Sequence, residues 1–412
     1  MRLLWTLIQR ELLEDLTSSR YVLASVLCIV LCLTSIILML DDYKRRLERY
    51  NFQMSDMTQE ELQNRLSFAK RPQPLSVIAR GVDEVMGRSL NITGWQPEEE
   101  PIAHVGGRSA EGQHLYGFAQ GQHLFALFTT PDFVYIVGVV LSVFATFLSF
   151  GTICGEKQTH TLSLLMSYSI RRPTLLFAKW LGGYIGLLIS LCPAMLLMLV
   201  FLTLSPSLSL QTEDWIRLLG IVGISLIYLL VFFTLGLLTS TLTHQPATAL
   251  ILVLSIWAMW VLGVPRIGCS AAKGLRPIQP TFTFGLHKRA VRQGSVEEFQ
   301  ETLWKMDDEY IDTVDAQMTM AANLSRFSPF ASYVYASTTL AQTGFTDAQN
   351  YRRQVADWDR ERRRGRPTQL SLLPLRLEQS FLGMTNDLIL LLSWNVILFM
   401  GAHLAFLRYD VR

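Results

Sequence analysis

A short polar stretch of this chain, GEKQTHTLSLLMSYSIRRP (residues 155–173), has the residue types for ionic contacts with another surface. Glu156 and Lys157 offer a carboxylate and an ammonium side by side, and His160 follows about one helical turn later. Such groups form charge-assisted hydrogen bonds, but they supply no nucleophile with an oriented base. The chemistry that they indicate is therefore recognition of a partner surface rather than catalysis.

The same stretch has the periodicity of a short amphipathic helix. Three apolar residues follow i, i+3, i+4 spacing: Leu162, Leu165 and Met166. Leu164 breaks this pattern, and Thr161 and Leu162 lie about 1.5 turns beyond Glu156. A carboxylate is favoured at a helix N-terminus, where Glu156 falls. The pattern predicts a helix that packs on a membrane domain and presents Glu156 and His160 to a soluble partner.

The elements that must position this helix are strongly apolar. Hydrophobic residues make up 50% of the 412 residues, charged residues only 17%, and the mean hydropathy is +0.28. Soluble domains average about 25% charged residues, and a membrane-spanning helix needs about 20 apolar residues. Six runs of the sequence qualify: 21–40, 133–154, 180–204, 216–239, 247–264 and 387–407. The sequence therefore predicts an all-α polytopic membrane protein with six transmembrane helices.

Three further segments complete the predicted organisation. Residues 1–20 are too polar to span, and we expect an amphipathic helix in the membrane plane, with Trp5 and Arg10 at the interface. Glu11 interrupts its apolar face, and a cytoplasmic stub is the alternative. Two large polar regions, 41–132 and 265–386, combine long helical patterns with short apolar runs bounded by Gly and Pro. We expect both to be mainly helical with some β structure.

The short loops predict the orientation. The loop 155–179 has one acidic residue, Glu156, and four basic residues: Lys157, Arg171, Arg172 and Lys179. Loop 205–214 has acids only, and the tail 408–412 is basic. Basic short loops stay in the cytoplasm, so both termini are predicted inside and both large regions outside. Bases also exceed acids in 265–386, but long translocated regions are largely exempt from this rule. Arg171, Arg172 and Lys179 are predicted at the headgroup level.

Several classes of protein are disfavoured by what the sequence lacks. A net charge of +2 does not suggest a nucleic-acid partner. No GxxxxGK[ST], HExxH or GxSxG motif occurs, and the five cysteines have no zinc-ligand spacing. We therefore expect no cofactor, metal or catalytic residue in this chain. The apolar runs contain almost no charged residues, which argues against an ion-coupled carrier.

The segment GEKQTHTLSLLMSYSIRRPTLLFAKWLGG resembles the region after the second span in type-2 ABC exporter permeases. The matching residues are Glu156, Lys157, Thr161, Leu162, Leu164, Leu165, Arg172 and Lys179. His160 departs from the pattern, since a Gly usually precedes the Thr. RPQPLSVIARGVDEVMG, LSRFSPFASYVYASTTLAQTG and the N-terminal segment are similar to one branch of that family, which has large extracytoplasmic loops after spans one and five.

The resemblance implies a mechanism. Such a permease subunit is not itself an enzyme: two copies of a partner ABC ATPase bind ATP and Mg²⁺, and the permease pairs with a second copy or a sister permease. The ATPases push on the N-terminal helix and on the short helix after span two. This assigns ATPase coupling to Glu156, Lys157, His160, Thr161 and Leu162. It also implies export across a bacterial inner membrane, with contacts to membrane lipid.

Two alternatives stay open at this point. An ABC-type mechanotransmission subunit would use its large outside regions to act on an envelope protein without moving cargo. A polytopic membrane enzyme with dispersed catalytic residues is the other, although no acid–base or nucleophile constellation supports it. Cargo movement in a reconstituted complex separates the first alternative from transport.

Overall fold

The computed structural model describes residues 2–56, 66–68, 71–83, 90–92, 131–167, 171–277, 312–313, 315–363 and 374–408. Within these residues, six helices are long and apolar enough to cross a membrane. Spans one to six are Tyr21–Phe52, Phe133–Gln158, Arg172–Leu204, Thr212–Leu242, Pro246–Leu275 and Leu377–Leu407. The predicted all-α polytopic fold is confirmed. Much of 41–132 and 265–386 lies outside the described residues, and the elements predicted there stay predictions.

The helices extend well beyond the apolar runs that reveal them. Span one belongs to a helix Ser19–Asp56, whose last turns are polar. Span three begins at Arg172, with Pro173 in its first turn, where the missing N–H costs no helical hydrogen bond. Span six begins at Leu377, about ten residues before its apolar run. Hydropathy detects only the lipid-facing length, whereas the helical hydrogen bonds continue into polar sequence.

Span four lies at the centre of the bundle. It packs against span six, span two and a short helix, Pro329–Leu340, every residue of which is buried. Its own Tyr228, Leu229 and Phe232 are completely buried. Tyr228 stacks on Tyr333 of the short helix with ring centroids 4.3 Å apart. The core of the protein is therefore built around span four, and the outer faces of spans one, three, five and six expose large apolar side chains.

Spans two and five each contain a π-helical segment, Ile136–Leu141 and Met259–Gly263. A π turn frees a carbonyl from the regular ladder, and other elements use it here. The Tyr228 hydroxyl donates to Gly138 O at 2.6 Å, and the Ser328 hydroxyl donates to the carbonyl of Trp260. A Cβ at position 138 would collide with the ring of Phe330. Glycine therefore permits the close packing of span two on the short buried helix.

The bundle has two ends, which we name by their loops. The short-loop end contains the N-terminal helix Arg2–Thr17, the short helices Cys154–Gln158 and Thr161–Ser167, and the last turns of spans four and six. The large-loop end contains the 3₁₀ turn Pro74–Val77, the helices Pro329–Leu340 and Phe345–Arg363, and a two-stranded antiparallel ladder. The ladder pairs Leu66–Phe68 with Leu90–Ile92, which agrees with the small β content predicted for region 41–132.

Buried charges join the large-loop end to the spans. The Arg46 guanidinium, at the end of span one's helix, lies 2.8 Å from Asp83 and 2.9 Å from Asp42. Arg217 of span four is 1% exposed and donates to Ser380 Oγ at 2.7 Å, and to the carbonyls of Leu375 at 3.0 Å and Leu340 at 3.3 Å. The Leu340 carbonyl ends the buried helix, where a cation is favoured by the helix dipole.

Candidate functional site

The short-loop end carries the residues that the sequence assigns to ATPase coupling. The stretch predicted to form one amphipathic helix forms two, Cys154–Gln158 and Thr161–Ser167, hereafter the first and second loop helices. The first loop helix comprises the last five residues of span two as bounded above. His160 separates them in the left-handed conformation, with φ of 57°. Glycine adopts this conformation without strain, which explains the Gly that the resembling permeases usually carry before the Thr.

A buried ion triad joins three elements at this end. The Lys179 ammonium of span three lies 2.6 Å from Glu11 Oε1 of the N-terminal helix and 2.8 Å from Glu156 Oε1 of the first loop helix. Lys179 was predicted at the membrane interface, and the structure adds that its side chain is only 2% exposed. The reason is that two carboxylates from other elements compensate its charge, which a charge count along the sequence does not show.

The triad has an excess of negative charge. Two carboxylates share one ammonium, and Glu156 Oε2 is buried without a hydrogen bond from the described residues. A buried acceptor without a partner costs about 1–3 kcal/mol. The Glu156 side chain is 24% exposed at its other atoms. Glu156 was predicted to face a partner, and the bond to Lys179 that the structure shows is made within the chain. It still has capacity to accept a second donor.

Lys157 fixes the first loop helix to span four. It is buried, and its ammonium donates to the carbonyls of Thr241 at 2.5 Å and Thr243 at 3.1 Å. These carbonyls end span four, where helical carbonyls lack partners within the helix. The sequence pattern suggested that Lys157 presents its charge to a docking surface. In the structure its ammonium is directed to span four. It satisfies the end of span four and ties the loop helix to it.

The start of the first loop helix is held by the same span. Ser240 Oγ of span four accepts hydrogen bonds from the backbone N–H groups of Ile153 and Cys154, both at 2.9 Å. Unpaired N–H groups at a helix start need such an acceptor. Polar contacts thus join this helix to span four near both of its ends, and displacement of the helix must displace the end of span four.

The second loop helix packs through one leucine. Leu162 is 1% exposed and lies in a small apolar cluster with residues of the neighbouring spans, namely Ile153, Leu175, Leu176, Leu237 and Phe406. Leu165 and Met166 are half-buried, whereas Leu164 is 66% exposed. This is the face that the apolar periodicity predicts. His160 and Thr161 are exposed and available to a partner.

The remaining interfacial residues lie at the surface of this end. Trp5 is 60% exposed, and Arg10 and Arg171 are exposed. Arg172 is half-buried and donates to Leu407 O, at the end of span six, at 2.9 Å. The short-loop end thereby joins the N-terminal helix, both loop helices and spans three, four and six.

Sequence reasoning missed two residues of the site. Glu11 interrupts the apolar face of the N-terminal helix, and an acid in such a position needs a buried cation, so a signal was present. Ser240 gives no signal, because serine is common in helices of this kind. In the described part of the chain, no three His, Cys, Asp or Glu side chains come together as a metal site requires.

The site agrees with what comparison of the sequence shows. None of the curated proteins matches the chain. A family model described as "ABC-2 family transporter protein" matches residues 5–411, nearly the whole chain, so it covers the N-terminal helix, both loop helices and all six spans. Members of this family associate with an ABC ATPase as membrane components of transport. The chain therefore belongs to the ABC-2 transporter family, as a multi-pass permease subunit of an ABC transporter.

Proposed function

We propose that this permease subunit converts ATP hydrolysis by its partner ATPase into movement of the spans, and that the Glu11–Lys179–Glu156 triad carries the movement. The observation behind the proposal is that one buried ammonium joins the N-terminal helix, the first loop helix and span three. Because separating any pair would leave a buried charge uncompensated, the three elements are favoured to move together. The direction of transport that we propose is export.

The surface proposed to receive the ATPase is the exposed side of the loop helices. Gln158, His160, Thr161 and Leu164 are exposed there, and the buried side is already bonded to the spans. The triad's excess negative charge favours a basic residue on the ATPase. A push on this surface reaches span four through Lys157 and Ser240, and span three through Lys179.

The same proposal sets orientation and stoichiometry. The short-loop end lies on the cytoplasmic side of a bacterial inner membrane, and its basic short loops support this orientation. One chain offers one set of loop helices, whereas a pair of ATPases closing on ATP offers two docking sites. We therefore propose two permease chains, identical or sister subunits, with two ATPases that bind ATP and Mg²⁺.

Permease-stimulated ATP hydrolysis by the reconstituted complex tests the proposal. Glu156→Gln keeps the size of the side chain but removes the charge that joins the loop helix to Lys179. We expect normal membrane insertion and a loss of most of the stimulation, and Glu156→Arg is expected to be worse because it puts two cations together.

Glu213→Gln is the matched control for this experiment, since it makes the same chemical change in an exposed residue at the large-loop end. It should leave stimulation unchanged. Equal ATP hydrolysis in wild type, Glu156→Gln and Glu156→Arg would contradict a coupling role. The role of the triad would then be purely structural.

One observation favours a second candidate, a subunit that transmits force to an envelope protein. Arg217 and Arg46 bind the large-loop end rigidly to spans four and one, so movement of the spans reaches the outside regions. Inverted vesicles that contain the complex distinguish the two functions. ATP-dependent accumulation of any molecule from a cell extract supports export. Force transmission is supported if no molecule accumulates but a fluorescent label attached at the large-loop end changes its signal when ATP is added.

A further inference from the structure

A cleft of about 550 Å³ opens at the short-loop end, between the end of span four, the turn to span five and the last turns of span six. Its lining includes Lys157, Leu242, His244, Leu404, Ala405 and Arg408. The volume falls in the range of about 300–1,000 Å³ that is common for small-ligand sites. Of the lining residues named here, Lys157 takes part in the loop-helix contacts described above, through its bonds to the carbonyls of Thr241 and Thr243. The rest of the cleft has no role in those contacts.

The lining of the cleft has two different characters. Lys157 and Arg408 bring positive charge and His244 adds a polar ring, while none of the described residues that line the cleft is acidic. The walls are apolar: Leu242 is 57% exposed and Leu404 is 52% exposed. On a membrane span, exposed leucines lie against acyl chains.

The cleft also lies at a defined depth. Span six ends at Leu407, and Arg408 follows directly, so the apolar surface gives way to charge within one turn of helix. That transition marks the boundary between the acyl chains and the headgroups. A ligand in this cleft therefore meets hydrocarbon on one side and cations on the other.

We propose that this cleft binds one anionic phospholipid. Its phosphate lies against Arg408, where the nearby charge of Lys157 adds only a long-range attraction, and its acyl chains lie along Leu242 and Leu404. Basic pockets between spans on the cytoplasmic side bind anionic headgroups in this way. A free phosphate or nucleotide would use the cations but not the exposed leucines, which is why we commit to a lipid. The cleft also places the lipid beside Lys157, the residue that joins the first loop helix to span four.

Native mass spectrometry of the purified full-length permease, without its ATPase, tests this site. Phosphatidylglycerol and phosphatidylcholine serve as probes, with wild type, Arg408→Gln and Arg266→Gln compared. Arg266 is exposed near the opposite end of span five, so its variant makes the same change of charge elsewhere. We expect Arg408→Gln to weaken phosphatidylglycerol binding about fivefold and to leave phosphatidylcholine binding unchanged. Phosphatidylglycerol should also raise the melting temperature of wild type more than that of Arg408→Gln.

Three results would each overturn the proposal. One is unchanged phosphatidylglycerol binding in Arg408→Gln, and another is equal weakening in Arg408→Gln and Arg266→Gln. The third is displacement of the bound lipid by millimolar inorganic phosphate, which would identify an anion site without lipid specificity. Because the assay contains no ATPase, its outcome is independent of the coupling proposed for the triad.

Discussion

Lys179 shares one ammonium between two carboxylates, so its removal should have a larger effect than removal of either acid. Lys179→Met leaves Glu11 and Glu156 buried together without a cation, and breaking a buried ion pair in this way costs about 3–5 kcal/mol. We expect a strongly lowered melting temperature of the purified permease. Arg10→Met is the matched control, because Arg10 is exposed on the same helix as Glu11, and its effect should stay within about 0.5 kcal/mol.

A compensating variant separates charge from packing in the same triad. Glu11→Gln and Glu156→Gln, added to Lys179→Met, remove all three charges. Replacing a whole buried ion cluster by neutral groups is often close to neutral in stability. The triple variant should therefore recover most of the lost stability but not the permease-stimulated ATP hydrolysis. A Lys179→Met protein that melts like wild type would show that the triad is not formed.

Asp132 gives the large-loop end a dependence on pH. It is 4% exposed and accepts backbone hydrogen bonds from Tyr135 N at 2.7 Å and Arg80 N at 2.8 Å. Burial raises the pKa of this carboxyl from 3.8 to about 7, although those hydrogen bonds and the Arg80 charge act to lower it. Between about pH 4 and 7 the folded protein keeps the proton that the unfolded chain has released.

The sign of the effect follows from that difference in bound protons. Because the folded state binds more protons, stability falls as the pH rises from about 4 to about 7 and levels off above it. Asp132→Asn should remove the contribution of this residue to the fall of stability with pH. Melting temperatures of both proteins, measured across this range, check the expectation. Parallel curves for wild type and Asp132→Asn would contradict it, whatever their absolute heights.

At the scale of elements, the second loop helix depends on one buried side chain. Leu162→Ala removes three carbons from a packed cluster, and such truncations cost about 2–5 kcal/mol where the site cannot collapse. Since the helix has only seven residues, we expect Leu162→Ala to detach it before the spans unfold. Faster backbone hydrogen exchange in residues 161–167 measures this.

Leu164→Ala is the internal control for that experiment. Leu164 belongs to the same helix but is 66% exposed, so its truncation should change hydrogen exchange little. If Leu164 lies on the ATPase-facing side, as we propose, this variant should weaken ATPase binding instead. Equal exchange in the two variants would mean that the helix is not held by its Leu162 face.

The elements of the fold are predictable where one physical signal dominates. Hydropathy finds the six spans, because each must bury about 20 apolar residues in lipid. It finds neither the polar last turns of span one nor the π turns at Ile136–Leu141 and Met259–Gly263. Those turns depend on the fit of Gly138 against Phe330, which comes from a distant part of the chain.

The candidate site is predictable only in its location. The loop 155–179 and the buried position of Leu162 follow from charge and periodicity. The partners of Lys157 and Lys179 do not, because Thr241 and Glu11 are far away in sequence and a buried ion pair leaves no local pattern. Glu11 is the exception, since an acid on an apolar helix face requires a buried cation.

At the scale of the whole molecule, span four connects the two ends of the bundle. At the short-loop end, Lys157 and Ser240 join the last turn of span four to the first loop helix. At the large-loop end, Arg217 joins the first turns of span four to the start of span six. Tyr228 in its middle donates to the π segment of span two. A displacement of the loop helices therefore has a direct route, through one rigid helix, to the buried helix Pro329–Leu340 and the outside regions.

The ATPase can act on the loop helices only if the short-loop end lies in the cytoplasm, and cysteine labelling tests this orientation. Gln158 and Glu213 are exposed at opposite ends of the bundle, and four of the five native cysteines are buried. In a Cys192→Ala background without the ATPase, Gln158→Cys and Glu213→Cys are treated with an impermeant maleimide in spheroplasts. Because the basic short loops stay inside, we expect Glu213→Cys to react in intact spheroplasts and Gln158→Cys only after the spheroplasts are permeabilised. Reaction of Gln158→Cys alone in intact spheroplasts would reverse the orientation and place the triad out of reach of any ATPase.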